Sequence, residues 1–278
     1  MFYSGKYIDL FESALKILFV KKGYEAFPHL DAMGKRCFGF ANRKDGKSYY
    51  IPIADTKEAV EAIAEYTNLK KKLRIHCVEA VEEFMEYIPE GIVYGPISGE
   101  VAVRRVKNLY YRANNCYVYM QAGPGNRYCI TDPDGFPVLY YSEEEMRSIL
   151  YRERGMLIRL KDNDGMRRKA ESAEVIWKEG WKFHRMEAEH SRETTLWKDA
   201  FESYDKSASS QIALRYGVMN FLEHMEKIWK LGNDLGVSKN EWDFRKLQCE
   251  MMKTAEEGRA EKLPLLEADI WKVLSDEI

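Results

Sequence analysis

The sequence lacks any long apolar run and any marked excess of charge of one sign. Across its 278 residues, 43 Lys and Arg side chains are balanced by 45 Asp and Glu, which gives a formal net charge of −2. No stretch approaches the roughly 18 consecutive apolar residues that a membrane-spanning helix needs. Nucleic-acid-binding proteins usually carry a basic face, and none is evident here. We therefore expect a soluble protein with neither a membrane span nor a nucleic-acid partner.

Cysteine is scarce, and none of it occurs in a Cys-x-x-Cys pair. The five cysteines are odd in number and widely spread along the chain, which suits reduced thiols better than a disulfide framework. The N-terminus has no basic segment followed by an apolar one, as a secretory signal would have. These absences predict a cytoplasmic protein.

The motifs of nucleotide-binding and metal-dependent enzymes are also missing. The sequence has no Gly-x-x-x-x-Gly-Lys-Ser/Thr, no Gly-x-Gly-x-x-Gly after a strand and no His-Glu-x-x-His. Gly123-Pro124-Gly125 is similar to a phosphate loop, but two short predicted strands flank it, which favours a hairpin turn. His184 and His190 are six residues apart and do not share a helix face as an i, i+4 metal pair would. We expect neither a cofactor nor a metal ion.

Tryptophan, tyrosine and proline divide the sequence into two regions. All six tryptophans follow residue 176, whereas sixteen of the eighteen tyrosines and seven of the eight prolines precede residue 152. The polar stretch at 160–165 is turn-forming and typical of a domain junction. We predict an α+β domain over residues 1–160 and an all-helical domain over residues 161–278.

Hydrophobic spacing predicts the elements of both regions. In the first region it indicates helices at 9–22, ended by Gly23, at 56–66, at 79–88 and after Ser142. Predicted strands lie at 48–53, 72–77, 92–94, 109–112, 116–121, 127–131 and 137–140. In the second region, helices are predicted at 167–189, 195–203, 209–231, 239–257 and 265–276, with a break at Gly232.

Two cysteine-containing segments are candidates for chemistry. His76-Cys77 suggests a thiol–imidazole pair, because a neighbouring imidazolium favours the reactive thiolate. Adjacent strand residues point to opposite faces, however, so a structural cysteine is the alternative. The second segment, residues 110–120, is rich in tyrosine and contains Cys116, and Asp132-Pro133 follows sixteen residues after that cysteine.

The segments around Cys116 and Asp132 resemble the histidine half of the C39-like cysteine peptidases, a papain-like fold, and more narrowly the family of butirosin biosynthesis protein H. In that family a His on a strand is oriented by the Asp of a later Asp-Pro motif. Cys116 stands where the family has this histidine, and Asp132 matches the carboxylate.

The first predicted helix resembles the other half of the family's site. Its Ala14-Leu15 pair matches the helix whose N-terminus carries the family's nucleophilic cysteine, and Leu10 or Asp9 takes the place of that cysteine. The resemblance covers about residues 5–155. It implies a papain-like N-terminal domain followed by a helical domain.

The resemblance implies a catalytically degenerate protein of peptide or aminoglycoside natural-product biosynthesis. Papain-like acyl transfer needs a thiolate and an imidazole. Leu10 stands in the place of the thiol and Cys116 in the place of the imidazole, so neither group is at its position. Such a protein would bind an acyl or peptidyl intermediate, a carrier protein or a partner enzyme. The expected cleft lies between the first helix and the strand around Cys116, and its ligand-binding residues are Leu10, Tyr111, Asn115 and Tyr117.

The alternative is an amide-forming acyltransferase that moves an acyl group from a carrier-protein thioester to an amine. It would use a relocated cysteine, Cys116 itself or Cys77 on the neighbouring strand. Asp132 would then either assist the site or cap the turn after it. The partners implied are an acyl carrier protein or an intact paralogue. Whether the tryptophan-bearing helices form a homodimer interface or a core stays open.

Overall fold

The computed structural model of the chain describes residues 10–24, 38–42, 48–52, 56–77, 80–98, 115–131, 139–152, 155–165, 175, 208–236 and 240–275. The chain divides into two compact units. Unit 1 comprises Met1–Pro28 and Thr67–Ala170, and unit 2 comprises His29–Tyr66 and Glu171–Ile278. No described helix has the length and apolarity needed to cross a bilayer.

Helices and strands are mixed between residues 10 and 160, and every described element after residue 165 is a helix. In chain order they are α1 (Leu10–Lys21), β1 (Phe38–Asn42), β2 (Ser48–Pro52), α2 (Thr56–Tyr66), β3 (Leu73–Cys77), α3 (Val81–Tyr87), β4 (Ile92–Ser98), β5 (Asn115–Ala122), β6 (Tyr128–Thr131), β7 (Leu139–Tyr141), α4 (Glu143–Arg152), β8 (Met156–Leu160), α5 (Ala208–Asp234), α6 (Glu241–Glu256) and α7 (Leu263–Ser275). The α+β class expected from the sequence is therefore confirmed.

Unit 1 is built on a six-stranded antiparallel sheet with the order β3–β8–β4–β5–β6–β7. One face packs against α3 and α4 through a cluster that includes Phe84, Tyr94, Met120 and Leu157. Strand residues alternate between faces, so Tyr117 and Tyr119 of β5 lie on the other side.

The second face of the sheet is covered by α1. Its apolar residues recur at three- and four-residue spacing, and Leu15, Leu18 and Phe19 are fully buried. The rings of Phe11 and Tyr117 meet edge to face, with their centroids 4.9 Å apart. The helix packs directly on β5, with these two rings in contact.

Strand β8 was not predicted, and it lies between β3 and β4 in the sheet. It pairs with β3 through Leu160 opposite Leu73 and with β4 through Ile158 opposite Val93. Both neighbouring strands satisfy its backbone hydrogen bonds, so this five-residue strand joins the edge strand β3 to the rest of the sheet. The apolar run is too short to reveal a buried strand by periodicity.

Several local predictions are confirmed and two are wrong. Gly23 ends α1 with a positive φ of 76°, and Gly123 closes the β5–β6 hairpin by donating to the carbonyl of Arg127 at 2.7 Å. The predicted strand 92–94 is too short, because β4 runs to Ser98 across a register shift between Tyr94 and Ile97. The predicted break at Gly232 is absent, since α5 continues to Asp234.

Unit 2 combines the β1–β2 hairpin with α2 and the three C-terminal helices. The hairpin strand β2 packs against α5, and α6 contacts both α5 and α7. Trp229 stacks on Phe244 with ring centroids 5.8 Å apart, and Trp271 is buried, whereas Trp242 is 79% exposed. The predicted division after residue 160 differs from this grouping, because the β2–α5 packing joins residues 29–66 to the helices.

Candidate functional site

A cavity of about 890 Å³ opens in unit 1 at the end of the sheet where β3 and β4 begin and β5 and β8 end. Six cationic side chains line it, namely Lys21, Lys22, Lys72, Arg74, Arg159 and Lys161. The lining carboxylates are Glu90 and Asp162, and the remaining polar side chains are His76, Tyr119 and Gln121. With His76 neutral, the lining carries an excess of four positive charges.

The pairing of β3 with β8 places three of the basic groups on one face. Arg74 is directly opposite Arg159 in the antiparallel register, and residues that are opposite each other share a face of the sheet. His76 is two residues along β3 and so lies on the same face as Arg74. The strand period therefore assembles two guanidinium groups and an imidazole at the edge of the sheet.

Arg159 is held in place by its neighbours in unit 1. Its guanidinium carbon lies 3.9 Å from the centroid of the Tyr87 ring, and its Nη2 donates to the Glu90 carboxylate at 2.6 Å. The His76 ring stacks near the same tyrosine, with centroids 6.2 Å apart. Stacking and a charged hydrogen bond together orient the planar guanidinium.

The imidazole of His76 titrates below its ordinary range. Burial and the positive charge of Arg159 lower the pKa of His76, Glu83 opposes this shift, and Arg74 adds to it. His76 is therefore neutral at pH 7 in the free protein. An anion placed between it and the arginines would favour its protonated form.

The wall on the far side of the cavity is formed by the end of α1 and the segment after β8. The Tyr24 hydroxyl donates to the carbonyl of Lys161 at 3.0 Å, and the Asn163 backbone donates to the carbonyl of Lys22 at 2.9 Å. Lys22 is 3.1 Å from the Asp162 carboxylate. These contacts fix the lysines at the rim.

Tyr119 reaches the cavity from the α1 side of the sheet. Its side chain is only 2% exposed, and among the described residues its hydroxyl has no hydrogen-bond partner. Burial, with the nearby charges of Cys129 and Asp162, raises the pKa of Tyr119 to about 12. The hydroxyl is therefore protonated at neutral pH and is available as a donor.

The position of this hydroxyl depends on Gly91. A Cβ placed on Gly91 would lie 2.3 Å from the Tyr119 hydroxyl oxygen, so one of the two residues would have to shift to accept it. Gly91 also has a φ of 81°, in the region that favours glycine. The bare backbone at the start of β4 leaves the space that the tyrosine hydroxyl occupies.

Three of the lining cations have no acid partner within the described part of the chain. Arg159 is paired with Glu90, Lys22 with Asp162 and Lys72 with Asp164 at 2.9 Å. Lys21, Arg74 and Lys161 make no ion pair with a described carboxylate. The cavity therefore has positive charge that no described carboxylate neutralises, together with the hydroxyl donor of Tyr119, which suits a negatively charged ligand.

The structure describes only some of the site residues expected from the sequence. Leu10 is the first residue of α1, and Asn115 and Cys116 begin β5. Tyr111 and Asp132 lie outside the described residues. Tyr117 is 8% exposed and contacts Phe11, so its ring is packed against α1. The assignment of these residues to a ligand-binding or catalytic site stays a prediction.

The expected proximity of Cys77 and Cys116 is wrong. Cys77 ends β3 and Cys116 lies in β5, but β8 and β4 separate these strands in the sheet. Three strand spacings amount to roughly 14 Å. Cys77 is exposed at the sheet edge, and His76 faces Tyr87 and Arg159 instead, as the strand alternation predicts.

Sequence reasoning missed the residues that line the cavity. A signal was present in β3, where Arg74 and His76 alternate with apolar residues and so share one face, and Lys72 comes directly before this strand. Their partner Arg159 lies on the unpredicted strand β8. Without β8, the sequence does not show which residues lie beside the basic residues of β3, so a site there cannot be predicted.

No protein-family model and no curated protein matches the sequence. Within the described residues, no cluster of His, Cys, Asp and Glu is suited to hold a metal ion.

Proposed function

We propose that unit 1 is a binding module for a small anionic molecule, which it holds in the cavity at the end of the sheet. The observation that carries this proposal is the lining, in which six cationic side chains surround a volume of about 890 Å³. That volume falls in the range of small-molecule sites. A concave surface lined by charge of one sign concentrates ligands of the opposite sign.

We further infer, following the C39-like resemblance, that the module is a degenerate papain-like domain of cytoplasmic natural-product biosynthesis. Its ligand would then be an acyl or peptidyl intermediate that carries an anionic group, delivered by a carrier protein or an intact paralogue. The packing of α1 on β5 through Phe11 and Tyr117 supports this reading. These elements correspond to those that carry the nucleophile and the base in the resembled family.

Amide-forming acyl transfer with a relocated nucleophile is the second candidate, and the exposure of Cys77 favours it. A thiol needs a base or a positive neighbour to react at neutral pH. We expect Cys77 to react with iodoacetamide no faster than the exposed Cys249 of α6, as measured by mass spectrometry of the labelled peptides. Selective, faster labelling of Cys77 would instead support the acyltransferase.

Isothermal titration with small probes tests the binding proposal. Hexanoate and N-acetylglycine represent acyl and peptidyl carboxylates, phenyl phosphate represents phosphate esters, and hexanamide is the uncharged counterpart of hexanoate. We expect at least one of the anions to bind, hexanamide not to bind, and the affinity to fall as salt is added.

A pair of charge-removing variants places the binding in the cavity. Lys21→Gln removes a lining cation that makes no ion pair with a described carboxylate, and Lys253→Gln removes an exposed cation of α6 in unit 2. The first variant should weaken anion binding and the second should leave it unchanged. The proposal fails if no anion binds, if hexanamide binds as well as hexanoate, or if the two variants behave alike.

A further inference from the structure

The two arginines at the β3–β8 edge form an unfavourable pair in the free protein. Arg74 and Arg159 are directly opposite each other, and like charges in that position destabilise a sheet. Glu90 neutralises only Arg159, and Arg74 has no acid partner among the described residues. A ligand with more than one negative charge would relieve this repulsion.

The chemistry of the guanidinium group indicates which anion fits. Arginine presents several N–H donors in a planar fork that matches carboxylates and phosphates. Stacking on Tyr87 fixes the plane of Arg159, and one of its nitrogens is already bound to Glu90. A tetrahedral group with three peripheral oxygens can accept from Arg159, Arg74 and His76 together, whereas a planar carboxylate has only two oxygens.

The rest of the cavity is too large for an inorganic ion. Its volume of about 890 Å³ is sufficient for an organic molecule of drug size. The hydroxyl of Tyr119, which has no hydrogen-bond partner among the described residues, would donate to an acceptor elsewhere on the same ligand. Such a donor is left unsatisfied unless a ligand or water accepts from it.

We propose that the ligand is a phosphate monoester of a small organic molecule. Its phosphate binds between Arg74, Arg159 and His76, and an uncharged acceptor group of the ester receives the hydrogen bond of Tyr119. This inference rests on the proposed function of the cavity and goes beyond it by naming the anionic group and the residues that select it.

The test compares phenyl phosphate with benzoate, which has the same ring and a carboxylate, and with inorganic phosphate. At pH 7.5 and constant ionic strength, phenyl phosphate should bind roughly tenfold more tightly than benzoate, because charged hydrogen bonds to phosphate are added. It should also bind more tightly than inorganic phosphate, since the ring occupies the remaining volume.

Two variants of Arg74 separate the role of its fork from the role of its charge. Arg74→Gln should weaken phenyl phosphate binding by roughly tenfold and change benzoate binding less. Arg74→Lys keeps the charge but loses the fork, and its affinity should be intermediate. Thermal unfolding of unliganded Arg74→Gln should occur at the same or a higher temperature than in the native protein, because a repulsive pair is removed. A merely structural Arg74 would give the opposite shift.

The outcomes test the phosphate monoester separately from the binding of anions in general. If benzoate binds as tightly as phenyl phosphate, or if Arg74→Gln keeps the phosphate preference, the phosphate assignment is overturned while anion binding stands. If inorganic phosphate binds as tightly as phenyl phosphate, the organic part of the ligand is overturned. If none of the probes binds, both proposals fall.

Discussion

Gly91 and Tyr119 are in close contact in the lining of the cavity in unit 1. The glycine has no side chain at the start of β4, and the tyrosine hydroxyl occupies the space that a Cβ would need. Neither residue is charged, and neither belongs to a known binding motif in the sequence. Their effect depends on the contact between them, because each alone is an ordinary residue of a turn or a strand.

The variant Gly91→Ala should lower the free energy of unfolding by roughly 1–3 kcal/mol, because a positive φ and a clash with the Tyr119 hydroxyl are combined. The matched control is Gly125→Ala in the β5–β6 hairpin. Gly125 also has a positive φ, of 65°, but an added Cβ there meets nothing within 4 Å. Urea denaturation of both variants separates the clash from the backbone strain.

The double variant Gly91→Ala with Tyr119→Phe provides a second check on this contact. Removing the hydroxyl takes away the nearest clashing atom, so the double variant should recover part of the stability lost by Gly91→Ala. Purely additive effects of the two substitutions would contradict the proposed contact.

The pKa of His76 should lie below 6.5 in the free protein and should rise when an anion binds. Burial and the charges of Arg159 and Arg74 lower its pKa from the ordinary value of 6.5. The unfolded chain therefore takes up a proton first, and His76 reduces stability as the pH falls below 6.5. The pKa is measured by NMR titration of the imidazole, with His76→Gln to assign the signal.

Benzenesulfonate is a suitable probe for this titration because its charge does not change near neutral pH. Saturating benzenesulfonate should raise the pKa of His76 and leave the other histidines unshifted. A pKa of His76 at or above 6.5 without the probe, or one that the bound anion does not raise, would contradict the placement of this residue in the site.

At the scale of single elements, local sequence signals and structure agree closely. Helix α4 begins with a reciprocal capping arrangement in which the Glu145 backbone donates to the Ser142 hydroxyl at 3.2 Å and the Ser142 backbone donates to the Glu145 carboxylate at 2.8 Å. Such a cap satisfies two amide groups that have no partner inside the helix. The end of α1 at Gly23 is another local signal that the structure bears out.

The variant Ser142→Ala should destabilise the protein by about 1 kcal/mol, because it removes the acceptor of the N-cap of α4. Ser148→Ala, inside the same helix, is the control and should be neutral or slightly stabilising, since alanine is the better helix former. Chemical denaturation of both variants measures the difference. Equal effects of the two substitutions would show that the cap contributes nothing.

At the scale of the whole molecule, the chain passes from unit 1 to unit 2 and back before it reaches the C-terminal helices. Residues 29–66 group with residues 171–278, and residues 67–170 return to the first unit. The hairpin strand β2 lies against α5 in unit 2. A division of the chain at one point therefore separates parts that pack together.

A fragment of residues 161–278 should be less stable than a chain in which residues 29–66 are joined to residues 171–278 by a flexible linker. The shorter fragment lacks β2, so the surface of α5 that β2 covers becomes exposed. We expect this fragment to bind the dye ANS several-fold more strongly and to unfold at a lower temperature. Equal stability of the two chains would mean that residues 161–278 form a complete domain, as their composition alone predicts.

Most of the helices and strands were predictable, because they depend on local hydrophobic period and on glycine and proline signals. The cavity was not predictable, because its residues come from three strands, the end of a helix and the segments that connect them. Arg74 and Arg159 are 85 positions apart, and their pairing depends on β8, a five-residue apolar segment that has no periodic signal of its own. The expected cleft between α1 and β5 was placed by resemblance and stays a prediction, and Phe11 and Tyr117 are in contact there.

The sequence by itself determined the α+β class, the turns and caps that end its elements, and the alternation that gives β3 a basic face. Those features follow from backbone conformations and periods of two or 3.6 residues, which only near neighbours influence. Only the tertiary structure decided the strand order, the insertion of β8 between β3 and β4, and the meeting of Gly91 with Tyr119. Long-range pairing of this kind is set by the packing of the whole core. The near balance of positive and negative side chains in the sequence therefore gave no indication of a cavity where positive charge is concentrated.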